Sequence, residues 1–293
     1  MCKQLAVSHS AYYKWKSRKI PKQEEENEKI ANLIIEYDEK FGHILGYRRM
    51  TQWINRLNQT NYNRKRIHRI MKKLNIHSVI RPKKKKYLKS TPQTIADNIF
   101  KRNFNADKPN EKWATDVTEF KIPKSSKKIY LSAILDLYDR SIVSYVLGRS
   151  NNNALVFKTF DKAILKYPNA KPMLHSDRGF QYTSKSFKAK LMKQGAKQSM
   201  SRVGKCIDNG PVEGLWGIIK TEMYAMNDIY DEKSLIKAID KYILFYNIER
   251  FQERFDCQTP MEVRQAALAT ANPIQYPIAE NKRIKKFKEK FSA

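Results

Sequence analysis

Two different rhythms of apolar residues divide this chain. Over residues 27–76 the apolar positions recur at helical spacing and predict three helices, NEKIANLIIEYDEKF, GYRRMTQWINRLN and NRKRIHRIMKKLN. The third has Asn63 as its N-cap and an apolar stripe of Ile67, Ile70, Met71 and Leu74. Beyond about residue 108 the period shortens. WATDVTEFKI, KKIYLSAILDLY and SIVSYVLGRS are β-rich stretches with brief breaks, as expected of an antiparallel meander. A helix (NNALVFKTFDKAILKY), a short strand (PMLHSD), a helix (SKSFKAKLMKQ), a strand (AKQSMS), the loop RVGKCIDNG and the helix PVEGLWGIIKTEMY follow. The order βββαβαβα predicts an α/β core with a mixed sheet. SLIKAIDKYILFYNIERF adds an amphipathic helix whose apolar side covers that core.

The opening LAVSHSAYYKW reads as the end of one helix, a turn and a second helix capped by Ser8, with Ala11, Tyr12 and Trp15 at helical spacing. Its first helix is clipped, as if the upstream half came from a preceding reading frame or a fused segment. The expected layout is a partial helix-turn-helix over 1–22, a helical DNA-binding region over 23–80, a basic linker over 81–107, the α/β core over 108–270 and a basic tail over 271–293.

Charge identifies the partner. With 58 Lys and Arg against 29 Asp and Glu, the net charge of +29 repels itself unless a polyanion neutralises part of it. From Lys40 to Ala96 there are 16 basic residues and no acidic one, so the i,i+4 counter-charges of an ordinary solvated helix are missing. Phosphate contact explains that better than solvation does. Arg64, Lys65, Arg66, Arg69, Lys72 and Lys73 on the third helix, and Arg81, Lys83, Lys84, Lys85 and Lys86 in RPKKKKYLKSTPQT, are the candidate DNA contacts. No apolar run reaches the roughly 18 residues that span a bilayer, and MCKQLAVSHS is not a signal peptide. Three scattered cysteines, Cys2, Cys206 and Cys257, support neither a disulfide framework nor a zinc site. A reduced, cytoplasmic protein, associated with the nucleoid when bound to DNA, is expected.

The candidate chemistry is phosphoryl transfer. Two metal ions, roughly 3.5 to 4 Å apart, need acceptor-only ligands on rigid elements to bind attacking and leaving oxygens. Asp116 lies in the first strand, and Asp177 ends LHSD just before Arg178 and Gly179. Asp208, Glu213 and Glu222 compete for the third place. Glu213 is preferred because it falls in the first helical turn after Pro211. Lys220, seven positions on, shares its helix face and can reach a DNA phosphate.

WATDVTEF, LHSDRGFQY and DNGPVEGLWGIIKTE resemble the three motifs of the DDE transposases of bacterial insertion sequences, within the retroviral-integrase superfamily. The likeness is to the OrfB-type enzyme of the insertion-sequence-3 family. GYRRMTQWINR, NRKRIHRIMKKLNI and YILFYNIERFQERFDCQTPMEVR extend it to nearly the whole chain. The resemblance implies a ribonuclease-H-like fold preceded by a small all-helical helix-turn-helix region. It makes Asp116, Asp177 and Glu213 the catalytic, metal-binding triad and Lys220 the family's basic position. The cofactor would be Mg²⁺, two ions per site, with Mn²⁺ as substitute. The partners would be transposon terminal inverted repeats and target DNA, a second copy of the chain on paired ends, and an upstream OrfA-type helix-turn-helix and leucine-zipper segment.

His175, two residues before Asp177 on the same strand face, can orient the site or be simply hydrogen-bonded; Asn209 can do the same from the turn before the helix. Asp136 reads equally as a buried carboxylate supporting the site or as part of a turn. Trp113 and Trp216 read as core. A tyrosine or serine recombinase would need a covalent nucleophile, and no convincing Arg/His/Tyr arrangement is present. A DNA-binding repressor or scaffold descended from a transposase is the non-enzymatic rival.

Overall fold

The computed structural model describes residues 8–80, 99–100, 103–202 and 206–277. Arg81 and Lys83, Lys84, Lys85 and Lys86 lie outside them, as do the clipped first helix and most of the basic tail. The chain divides after Val79 into two compact units.

The first unit holds four helices: α1 (His9–Lys16), α2 (Lys22–Lys40), α3 (Tyr47–Asn58) and α4 (Arg64–Lys73). Ser8 caps α1 by accepting from the Ala11 amide at 3.3 Å, but α1 buries none of its side chains, Tyr12 and Trp15 included. Its apolar spacing therefore marks no core. The core belongs to α2–α4, where Ile30, Ile34, Trp53, Ile54, Ile67 and Met71 are all at most 3 % exposed. Asn63 caps α4, its side chain accepting from the Lys65 amide at 2.8 Å. That cap sets the helix so that its stripe points inward and Arg64, Lys65, Arg69, Lys72 and Lys73 point to solvent. Arg66 departs from the expected set. Its guanidinium folds back onto α2, pairing with Glu26 at 2.7 Å and donating to Asn27 at 2.9 Å, so its charge is engaged within the unit.

The second unit is built on a five-stranded sheet: β1 (Lys112–Lys121), β2 (Lys128–Asp136), β3 (Ile142–Gly148), β4 (Met173–Ser176) and β5 (Lys197–Met200), in the order β3-β2-β1-β4-β5. β1, β2 and β3 pair antiparallel and β4 and β5 join in parallel, giving the mixed sheet expected of a ribonuclease-H-like core. The crossovers are α5 (Asn153–Lys166), a one-turn helix α6 (Phe180–Thr183) that the patterning did not predict, and α7 (Lys185–Gln194). After β5 a 3-10 turn, Cys206–Asn209, leads into α8 (Gly210–Met226), then α9 (Glu232–Ile248) and α10 (Pro260–Leu268).

Alternation along β1 divides the layers. Trp113 points into a core with Ile134, Val143, Val156, Phe160, Leu174, Phe187 and Leu191, under α5 and α7. Ala114, Asp116, Thr118 and Phe120 point the other way, toward α8, which packs on β1 and on α9. Beyond α10 the chain returns to the core: Tyr138 donates to the Ile274 carbonyl at 2.7 Å and Arg254 to that of Tyr276 at 2.7 Å.

Candidate active site

The register of the parallel pair brings two carboxylates together. Ala114 of β1 pairs with His175 of β4. Asp116 and Asp177 each stand two residues further on, so they leave neighbouring strands on one face of the sheet. Asp177 is held by a tight local turn in which its Oδ1 accepts from the Gly179 amide at 2.8 Å. Glycine leaves room there: a Cβ on residue 179 would lie 2.6 Å from Gln181 Oε1 and 3.0 Å from Asp177 Oδ1, so a larger residue would push on the carboxylate's own oxygen. The third carboxylate comes from α8, where Pro211 starts the helix and Glu213 lies in its first turn. Glu213, Trp216 and Lys220 fall at i, i+3 and i+7 and form one stripe. Trp216 Nε1–H donates to Asp116 Oδ2 at 2.9 Å. Lys220 Nζ lies 5.5 Å from the centre of the Phe120 ring, on the strand face that Asp116 shares.

The electrostatics tie the three together. Burial, then the charge of Asp177, then that of Glu213 push Asp116 up to about 7, against the hydrogen bonds from Trp216 and Val117. Burial raises Asp177, and burial followed by the Asp177 charge raises Glu213. Burial holds Lys220 below its usual range, partly offset by the attraction of Glu119 and Asp116. Burial and the Asp177 charge act in the same direction on Asp116 and Glu213, as expected of anions brought close where water is partly excluded.

Glu213's two rivals are committed elsewhere. Asp208 is bridged by Arg202 through both oxygens, at 2.9 and 3.0 Å. Glu222 is bridged by Arg250 at 2.8 and 2.9 Å and accepts from Tyr242 at 2.8 Å. His175 shares hydrogen bonds with Ser199 (2.9 Å) and Ser201 (3.2 Å) and stacks on Phe100 at 4.6 Å. Burial lowers its pKa to about 4, and its ring nitrogens face Ser199 of β5 and Ser201 just beyond it rather than one of the three carboxylates. Asn209 is 3 % exposed just before α8, with an Oδ1 that has no hydrogen-bond partner among the described residues. Asp136 is not at this site; it belongs to the buried cluster around Arg264.

Among the described residues no three His, Cys, Asp or Glu side chains stand gathered as a finished metal cage. The donor chemistry nonetheless fits a hard divalent cation. Three carboxylates supply hard oxygen donors, the Asp177 charge raises the other two, and the buried Asn209 Oδ1 is a further acceptor without a donor among the described residues.

A model of an integrase core domain matches residues 106–206 and a second integrase core model residues 213–268, while an HTH-like domain model matches 24–84. The transposase InsK assigned to insertion sequence element IS150 of Escherichia coli is 35 % identical over 254 residues, 86 % of this chain and 88 % of its own. The chain belongs to the DDE transposases of bacterial insertion sequences, in the insertion-sequence-3 family. A transposase-like protein of Haemophilus influenzae is 38 % identical over 70 % of this chain and 94 % of its own. In fold, the transposase is similar to a chain of the simian T-cell lymphotropic virus intasome solved with the PP2A regulatory subunit B56 gamma. That match has a TM-score of 0.50 and 16 % identity, and covers 79 % of this chain and 80 % of the other. The family makes this transposase a DDE-type polynucleotidyl transferase. Among the described residues no helix is long and apolar enough to cross a membrane.

Proposed function

We propose that this transposase cuts the ends of its insertion sequence and joins them to target DNA by metal-dependent in-line displacement, with Asp116, Asp177 and Glu213 as metal ligands. The observation that carries the reading is that carboxylates from β1, the end of β4 and α8 lie close enough for the Asp177 charge to raise both Asp116 and Glu213, with no arginine or lysine in ion-pair distance of them among the described residues. Two Mg²⁺ ions bound there, with Mn²⁺ as substitute, would activate the attacking oxygen and stabilise the leaving one.

The chain's own residues supply rigidity and charge. Two strands and a helix fix the carboxylates, the turn closed by Gly179 aims Asp177, and Lys220 offers a cation to a phosphate beside Asp116. No side chain needs to form a covalent intermediate. The first unit serves end recognition, with Arg64, Lys65, Arg69, Lys72 and Lys73 on the exposed side of α4 as phosphate contacts. Counterion release then makes binding strongly salt-dependent. Pairing of two ends would require at least two copies of the chain, and an upstream OrfA-type segment would supply further end recognition.

The test is a strand-transfer assay on terminal inverted-repeat DNA. Joined product is expected with Mg²⁺ or Mn²⁺ and none with EDTA. Product that survives EDTA together with a protein–DNA covalent adduct would point to a tyrosine or serine recombinase instead.

A further inference from the structure

Trp216 is 6 % exposed, and its ring does more than pack. Its Nε1–H donates to Asp116 Oδ2 at 2.9 Å, while Asp116 Oδ1 accepts from the Val117 amide at 2.8 Å. Both oxygens of the carboxylate therefore already face donors. Trp113 offers a contrast: its Nε1–H donates to Asp136 Oδ2 at 3.2 Å, but Asp136 also has the Arg264 guanidinium at 2.9 Å. Asp136 keeps a built-in cation. Asp116 has none in ion-pair distance among the described residues, and the indole is its side-chain donor. The stripe of Glu213, Trp216 and Lys220 places that donor on the helix face that carries the third carboxylate.

We propose that the Trp216 indole N–H competes with a divalent metal ion for Asp116 Oδ2, so that metal binding displaces this hydrogen bond. The inference rests on the reading of Asp116 as a metal ligand. Trp216 is then a positioning residue. It holds the Asp116 carboxylate turned toward α8, and part of the metal's binding energy goes into releasing it. Hydrogen bonds to charged groups are among the stronger ones in proteins. Removing the N–H while keeping an aromatic ring should tighten metal binding roughly tenfold.

The experiment uses the full chain without DNA. Mn²⁺ affinity is measured calorimetrically for the unsubstituted protein, Trp216→Phe and Asp177→Asn, with Trp216→Leu, which also has no donor, as the second variant should the phenylalanine fail to fold. In parallel, the indole ¹H–¹⁵N signal of Trp216, identified as the one missing from the variant's spectrum, is followed through a Mg²⁺ titration. Expected are roughly tenfold tighter Mn²⁺ binding in the Trp216 variant and an indole signal that shifts as Mg²⁺ saturates. Equal or weaker Mn²⁺ binding, or an indole signal that stays put, overturns the competition. The metal reading itself is checked separately. If the unsubstituted protein does not bind Mn²⁺, or Asp177→Asn binds it equally well, that reading fails and takes the competition with it. If binding depends on Asp177 but not on the Trp216 N–H, only the competition fails.

Discussion

Two carboxylate clusters lie in the same unit of this transposase, built from the same kinds of residue and resolved in opposite ways. Asp136 and Asp139 are fully buried around Arg264, itself 1 % exposed, which reaches them at 2.9 and 2.7 Å and also engages Ser141 and Asn110. The Asp136 oxygens further accept from Trp113 and from the Asn110 and Tyr138 amides. Asp116, Asp177 and Glu213 converge with no such cation in ion-pair distance among the described residues. The buried cluster joins α10 to the ends of β1 and β2 and is architecture. The other three keep unbalanced charge, which raises Asp116 and Glu213, and that is the feature on which the proposed metal site rests.

The largest expected effect tests the triad side of the contrast. Asp177→Asn keeps the shape of the turn at Gly179 but removes a charge, and strand transfer should fall at least about a thousandfold, the scale of losing one electrostatic element of a phosphoryl-transfer site. DNA binding, measured by fluorescence anisotropy, should change little. Strand transfer within about threefold of the unsubstituted enzyme would show that Asp177 is no ligand.

Much of this contrast was legible in the sequence, and its other half was not. The strand rhythm of WATDVTEF and LHSD and the proline-started helix at Glu213 are local signals, so the elements carrying all three carboxylates could be predicted. Whether Asp208 or Glu222 shared the site could not be decided from local pattern, because each is claimed by an arginine set by tertiary packing: Arg202 across a turn and Arg250 from beyond α9. Arg264 escaped notice altogether. It lies 128 residues from Asp136 in sequence, within a helix that reads as an ordinary amphipathic one. Trp216 reads as core and is buried, yet its indole N–H becomes a partner of Asp116 only through the docking of α8 on β1. The partners of His175, Ser199 in β5 and Ser201 just after it, are likewise set by tertiary packing and not by local pattern.

The buried cluster gives the next effect. Arg264→Met keeps much of the side-chain volume but leaves Asp136 and Asp139 without their cation, and breaking a buried pair in this way costs about 3 to 5 kcal/mol. Urea unfolding should show the loss as a lower midpoint with an unchanged slope. Adding Asp136→Asn and Asp139→Asn to that variant should recover a large part of it, since the cost is that of stranded charge. A triple variant no more stable than Arg264→Met alone would mean that the arginine acts through packing.

The smallest effect is the most direct measure of what separates the clusters. Asp116 is an acid whose folded pKa, about 7, is raised above the ordinary 3.8, so the folded chain holds its proton more tightly than the unfolded chain does. Stability linked to Asp116 is therefore full below about pH 4 and is lost as pH rises through 7. Asp116→Asn removes that titration while retaining an oxygen to accept the Trp216 N–H. In EDTA, the variant should unfold at the same temperature as the unsubstituted protein near pH 4. Above pH 7 it should be more stable by about 1 kcal/mol, because Asp116 keeps partial exposure in the folded chain and water offsets part of both the burial penalty and the repulsion. For a unit of this size that is a rise of about 2 to 4 °C. Mg²⁺ should shrink the difference by stabilising only the protein that has the full triad. A gain of equal size at both pH values would mean that Asp116 costs the fold through its shape rather than its charge. The triad would then differ from the Arg264 cluster in position alone, not in stored repulsion.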